Sequence, residues 1–157
     1  MLANHQEIIY KPLIIPIFIL VSKYYLDTCI WRDYFENRSD KFRPLGEWAL
    51  ELIKKVINEN DLFVISDHVL KEFENIYSEN ELKRFFDIIP EKLIIKVVMN
   101  KKQVKETLEL MKKFNVPFGD ALHAILARDN NSILVTRDKH FLELQDIVKI
   151  KKPEELI

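Results

Sequence analysis

Residues 117–138 read Pro-Phe-Gly-Asp-Ala-Leu-His-Ala-Ile-Leu-Ala-Arg-Asp-Asn-Asn-Ser-Ile-Leu-Val-Thr-Arg-Asp. Proline suits the start of a helix, since its φ is already helical and no partner is needed there for its missing N–H. The helix predicted from Pro117 runs through Asp129. Asn130-Asn131 is a turn signal. Residues 132–136 (SILVT) form a short apolar run of the kind that makes a strand buried on both faces. Helix, turn and strand follow each other with one acid, Asp120, in the helix's first turn and another, Asp138, two residues past the strand.

The same grammar extends outward in both directions. Residues 23–28 (KYYLDT) are a short β run. Pro44 opens a helical pattern in which Leu45, Trp48, Ala49, Leu52, Ile53, Val56 and Ile57 recur at spacings of three and four. Residues 62–65 (LFVI) are a buried strand. Ser66 or Asp67 caps the next helix, which carries Val69, Leu70, Phe73, Ile76 and Tyr77. A further helix over 79–88 stops before Pro90. Residues 93–98 (LIIKVV) are a strand, and 101–114 a helix with Val104, Leu108 and Met111 inside. The last strand is expected at 147–150, after a short helix. Short apolar strands alternating with longer helices imply an α/β fold, a parallel sheet covered on both faces.

The whole chain has 157 residues, 48% of them apolar, which suits one domain with a real core and no need of disulfides. Its charged share is 31% but the net charge is −1, so no global field draws it to nucleic acid. With only Gly46 and Gly119, it has no glycine-rich phosphate loop, which excludes dinucleotide-binding and P-loop chemistry. Cys29 is the only cysteine, which favours a reducing, cytoplasmic compartment. Abundant Lys, Glu and Ile with little Gly hint at a thermophilic source. Residues 13–21 (LIIPIFILV) are too short for a stable membrane span and lack a good signal-peptide cleavage site. Residues 1–22 are expected to be an extension and 23–157 the folded domain.

Ligands of open α/β sheets bind beyond the carboxyl ends of the strands. Asp27 stands at the end of the first strand and Asp138 just past the strand at 132–136. Asp120 begins the helix after Pro117, and Glu72 lies about two turns into the helix after LFVI, about 40° around from Ile76. Each acid also has an ordinary reading. A helix dipole favours Asp120, Glu72 can be a surface charge, and Asp138 a turn residue or N-cap. Asp27 is hardest to explain that way, because an acid closing a hydrophobic strand adds little stability. Clustered carboxylates repel unless protonated or bound to a cation. All-oxygen ligands suit Mg²⁺ or Mn²⁺, and no His/Cys set has zinc spacing.

Four stretches together carry a resemblance: Leu26-Asp27-Thr28, Ser66 with Glu72, Gly119-Asp120-Ala121-x-His123-Ala124, and Leu134-Val135-Thr136-Arg137-Asp138-x-x-Phe141. Over roughly residues 23–150 they resemble the PIN domain, the fold of VapC-type toxins and related ribonucleases. The resemblance implies a three-layer α/β/α fold with a five-stranded parallel sheet in the order 3-2-1-4-5. It implies metal ligation by Asp27, Glu72, Asp120 and Asp138, with Thr136 hydrogen-bonding within the acidic site. It implies RNA hydrolysis leaving a 5′-phosphate and a 3′-hydroxyl. Many relatives pair with an antitoxin and form homodimers, and an antitoxin would place a basic side chain in the acidic pocket. Cys29 departs from the family, which often has Asn there, and the residues before Lys23 match nothing in it.

Around the acids, His123 shares a helix surface with Asp120 and can meet substrate phosphate or hydrogen-bond structurally. Arg137, Lys139 and His140 flank Asp138, as RNA-backbone contacts or as a solvated loop. Trp31 is a candidate for substrate or dimer contact. Cys29 reads as a small core-side residue. The alternative function is a PIN-fold module, weakly active or inactive, that binds RNA or a partner protein. A haloacid-dehalogenase-like phosphatase is disfavoured because Cys29 stands where its second Asp belongs. A receiver domain is disfavoured because the 93–98 strand runs into Met99-Asn100.

Overall fold

The computed structural model describes residues 20–157. Five parallel strands form one sheet: β1 (Lys23–Leu26), β2 (Leu62–Ser66), β3 (Ile94–Val97), β4 (Ile133–Val135) and β5 (Ile150–Lys151), in the order β3-β2-β1-β4-β5. The three inner strands are apolar on both faces. Tyr25, Leu26, Phe63, Leu134 and Val135 have no exposed surface, so both faces must be covered. Helices supply the cover: α1 (Thr28–Phe35), α2 (Leu45–Asn58), α3 (Asp67–Glu74), α4 (Glu79–Phe86), α5 (Lys101–Phe114) and α6 (Phe118–Asp129). The sheet order and the α/β class are those expected.

Parallel pairing sets the register that matters for the site. Tyr25 lies opposite Val64 on one side and Leu134 on the other, and Leu26 opposite Val135. β1, β2 and β4 therefore end at one level, and Asp27, Ser66 and Thr136 emerge there together. α6 is the most deeply set helix. Ala121, Leu122, Ala124, Ile125, Leu126 and Ala127 are all fully buried, and its alanines let the helix backbone come close to its neighbours. α1 and α2 pack on each other, as do α5 and α6. An aromatic cluster ties α1, α3 and α4 to β2. Trp31 meets Phe35, Phe63 and Phe86, while Phe73 meets Phe35 and Tyr77. Gly46 belongs to this packing, because a Cβ there would stand 2.7 Å from the Asn37 Cα and the Asp33 carbonyl oxygen.

Several expectations are corrected. Trp31 is completely buried in the aromatic cluster, so it is available to neither substrate nor partner. α3 ends at Glu74, and Ile76 lies beyond it, 46% exposed, so it does not define an apolar face for Glu72. The buried positions of α5 are Gln103, Thr107 and Leu110, whereas Leu108 is exposed. Polar residues sit inside because Gln103 donates to Asp129 Oδ2 at 2.9 Å and Thr107 returns its hydroxyl to the Gln103 carbonyl at 2.7 Å. The last strand is Ile150–Lys151, later than the 147–150 run, whose Val148 is a buried turn residue instead.

Among the described residues four have left-handed backbone, and all are asparagines: Asn37, Asn60, Asn115 and Asn131. Asparagine tolerates that conformation better than other residues with a Cβ. The expected 1–22 extension lies largely outside the described residues. Ser22 already belongs to the folded unit, accepting from Leu62 N at 2.9 Å and donating its own N–H to Asp61. Among the described residues no helix is long and apolar enough to cross a membrane.

Candidate metal centre at the carboxyl end of the sheet

Asp27 is placed by the sheet itself. Its N–H donates to the Val135 carbonyl at 2.9 Å, continuing the β1–β4 ladder, and it then stands as the N-cap residue of α1. Its side chain is buried and accepts at Oδ2 from Thr136 Oγ1 at 2.8 Å and from Cys29 Sγ at 3.0 Å. Thr136 Oγ1 in turn accepts from the Asp138 N–H at 3.1 Å. One hydroxyl thus ties the end of β1 to the turn after β4. Cys29 packs against the core, as expected, and its thiol also reaches Asp27. Burial and the adjacent Asp27 charge push its thiol well up, so it serves as a hydrogen-bond donor and not as a nucleophile.

Glu72 arrives from α3. The helix starts sharply because Ser66 Oγ accepts from the Val69 N–H. Thr28, at the start of α1, donates its hydroxyl to Glu72. His123 Nε2 lies 3.4 Å from Glu72 Oε2 and 3.6 Å from Asp27 Oδ1, bridging the two acids. Burial alone would raise the Glu72 carboxyl, but hydrogen bonds from His123 and Thr28 outweigh it and hold the group below the usual range. Burial would likewise lower His123, yet Glu72 and the charge of Asp27 raise it.

Asp120, in the first turn of α6, and Asp138, after β4, complete the rim. His140 Nδ1 sits 3.2 Å from Asp120 Oδ2 and 3.3 Å from Asp138 Oδ1. Asp138 Oδ1 also accepts from the His140 N–H at 3.0 Å, so the N-cap role weighed for Asp138 is present. Burial, then the charges of Asp138 and Asp27, push the Asp120 carboxyl up. Its Oδ2 is buried with no hydrogen-bond donor, because His140 is close but misaligned. A desolvated carboxylate oxygen facing two more carboxylates is what a hard divalent cation neutralises. Of the four acids, Asp120 and Asp138 come together, a carboxylate oxygen of each and His140 Nδ1 all lying within 4.8 Å of one another, whereas Glu72 groups with His68 and His123 and Asp27 falls in neither set.

The remaining sequence candidates divide. Arg137 lines the cleft beside Asp138 and is held there by ion pairs. Its Nε donates to Asp33 at 3.0 Å and its Nη1 to Glu154 at 2.6 Å, with the guanidinium over the Trp48 ring. Its remaining nitrogen, Nη2, is buried without a hydrogen-bond partner. Lys139 is exposed and lines a cleft of about 680 Å³ beside Asp138, shared with Arg43, Lys151 and Lys152. Those three cations were not singled out from sequence, because they come from the α1–α2 connection and the C-terminal strand. His123 is enclosed, with Nδ1 on the Tyr25 hydroxyl at 2.8 Å.

Sequence reading also missed His68. Its Nε2 lies 3.6 Å from Glu72 Oε1, and its ring centroid 5.0 Å from that of His123. The i, i+4 spacing of His68 and Glu72 on one helix was a readable signal. Three of the four histidines, His68, His123 and His140, thus gather at the rim.

The PIN domain family model matches residues 24–147. No curated protein matches the chain. Among solved structures, VapBC2 from Rickettsia felis, bound to a DNA fragment from its promoter, is similar at TM-score 0.61 and 17% identity, covering 83% of this chain and 98% of that one. A toxin–antitoxin complex from Klebsiella pneumoniae is similar at TM-score 0.62 and 15% identity, covering 83% and 97%. VapBC-1 from nontypeable Haemophilus influenzae gives TM-score 0.59 and 18% identity, covering 84% and 98%. These likenesses are of fold. The family match takes in every acid of the rim, from Asp27 to Asp138, and on it the chain belongs to the PIN domain family.

Proposed function

We propose that the protein is a ribonuclease that hydrolyses RNA phosphodiester bonds with a divalent ion, Mg²⁺ or Mn²⁺, held by Asp27, Glu72, Asp120 and Asp138. The observation that carries this reading is the buried, donorless Oδ2 of Asp120 among carboxylates brought from separate parts of the chain. Bound there, the ion would activate water and neutralise charge on the phosphate. The chain's own residues do the rest. Thr136 and Cys29 fix the Asp27 carboxylate, and Thr28 and His123 fix Glu72, so the donors are positioned before an ion arrives. Lys139 and Lys152, lining the adjoining cleft, can attract the RNA backbone despite the near-neutral overall charge, while Arg43 and Lys151 there are already paired with Asp40 and Glu155.

Similar structures that are toxin–antitoxin complexes support a toxin role, with an antitoxin inserting a basic side chain among the acids. A homodimer and a reducing cytoplasmic setting belong to the same reading, the latter supported by the single free cysteine. The test is an RNA-cleavage assay with Mg²⁺ or Mn²⁺, with and without EDTA, on the wild type and Asp120→Asn. Cleavage that EDTA and Asp120→Asn both abolish supports the nuclease. Metal-independent cleavage would overturn the role given to the ion, and no cleavage of any RNA would favour a binding module that keeps the fold without turnover.

A further inference from the structure

Two buried nitrogens at the rim have no place in an all-carboxylate metal site. His68 Nε2 is buried and has no hydrogen-bond partner. His123 Nε2 points between Glu72 and Asp27. With Glu72 they form a set whose donor atoms all lie within 4.8 Å of one another. His123 Nε2 lies 3.4 Å from Glu72 Oε2, and His68 Nε2 lies 3.6 Å from the other carboxylate oxygen, Oε1. Ligand atoms roughly 2.0–2.1 Å from a tetrahedral ion stand about 3.4 Å apart. Each imidazole nitrogen thus stands near that spacing from a Glu72 oxygen, and the three residues can offer one donor each to a common ion.

Two neighbouring features fit the same ion. His123 Nδ1 is bonded to the Tyr25 hydroxyl, which is bonded to Ser66 Oγ at 2.6 Å. When Tyr25 donates to Ser66, Nδ1–H donates to Tyr25 and the Nε2 lone pair is free. A metal-binding histidine needs that orienting second contact. Gly119 has no positive φ to require glycine, and glycine in a helix costs up to ~1 kcal/mol relative to alanine. A Cβ there would stand 3.5 Å from His68 Nε2 and 4.0 Å from Glu72 Oε1. Glycine keeps open the space beside the donors, where an ion's further ligand would sit.

We propose that His68, Glu72 and His123 form a second, nitrogen-containing metal position that takes a transition-metal dication such as Zn²⁺, Co²⁺ or Mn²⁺ in preference to Mg²⁺. Imidazole nitrogen suits the transition ions, whereas Mg²⁺ keeps oxygen ligands and its waters. The proposal deepens the nuclease reading, with Glu72 shared between the two positions. It would make the site's metal preference a property of this chain's histidines and not of the acids alone.

The test uses the full chain and simple metal salts. Co²⁺ binding is followed by visible absorption, with Zn²⁺ and Mg²⁺ as competitors. Nitrogen ligation is read by pulsed EPR on the Mn²⁺-loaded protein. Two imidazole nitrogens are expected, falling to one in His68→Gln, with Co²⁺ affinity reduced at least roughly tenfold. Zn²⁺ should displace Co²⁺ and Mg²⁺ should not. Gly119→Ala, which meets only ordinary van der Waals contacts, should fold and bind Co²⁺ more weakly. Metal bound through oxygen alone, Co²⁺ displaced equally by Mg²⁺, or no Co²⁺ binding would overturn the proposal. The wild-type EPR result stands even if a variant fails to fold. RNA cleavage by the wild type with Mg²⁺ is scored separately, so oxygen-only ligation with cleavage would sink this site and leave the nuclease standing.

Discussion

The two ends of α6 treat charge in opposite ways. At its C-terminal end, Arg128 forks onto Glu106 at 2.6 and 2.9 Å and onto Asp129 at 2.8 Å, while Gln103 donates to the other oxygen of Asp129. Hydrogen bonds from Arg128 lower the Glu106 carboxyl. Asp129 is lowered too, since its bonds from Gln103 and Arg128 outweigh burial. At the N-terminal end Asp120 has burial and two like charges around it, and its carboxyl is raised. One end of the helix satisfies its acids. The other keeps an acid in want of a cation, which is how functional sites commonly differ from structural ones.

The sharpest way to break this comparison is Asp120→Asn. It should cut RNA cleavage by at least about 100-fold. It should also raise the thermal stability of the metal-free protein, because a repelling charge is removed while the side chain's shape is kept. A calorimetric loss of stability would mean that Asp120 is as well paired as Asp129. Next in size is the effect of metal. Mn²⁺ at 100 times its dissociation constant should stabilise the wild type by about 2.7 kcal/mol. EDTA should reverse that gain, and Asp120→Asn should lack most of it, as read by denaturant unfolding.

Arg128→Gln tests the satisfied end. Its partners are about one-third exposed, so the loss should be no more than about 1 kcal/mol. Cleavage should be unchanged, since Arg128 is remote from the rim. The smallest effect concerns pH. Glu106 and Asp129 have folded values below their ordinary 4.5 and 3.8. Their stabilisation is present above those ordinary values and is lost as pH falls through the folded ones. In Arg128→Gln the slope of stability between about pH 5 and 2 should flatten, as chemical unfolding at each pH would show.

The fold was legible because its strands are short, apolar and bounded by acids, serines or asparagines. Runs such as Leu62–Ser66 admit few other readings. Asp27 and Asp138 could be placed because a parallel sheet delivers strand ends to one side. What escaped was long-range pairing. Gln103 and Thr107 read as solvent-facing until Asp129 and the Gln103 carbonyl are seen to receive them. The ion pairs of Arg137 escaped too, because Asp33 and Glu154 are far away in the chain. His68 escaped although its i, i+4 spacing to Glu72 on one helix was readable, and the contact of His140 with Asp120 escaped because it spans two elements. Periodicity reports which face is apolar, and it says nothing about polar groups that satisfy one another inside.

The left-handed asparagines bear on how well the site keeps its shape. Asn131 lies between α6, which carries Asp120, and β4, which leads to Thr136 and Asp138. Asn60 joins α2 to β2, and Asn115 joins α5 to α6. Glycine would satisfy the same backbone angles but leave each junction freer to swing and enlarge the unfolded ensemble. With asparagine there, the corners beneath the acids act as stiff brackets, so catalytic geometry need not be re-established each time substrate arrives.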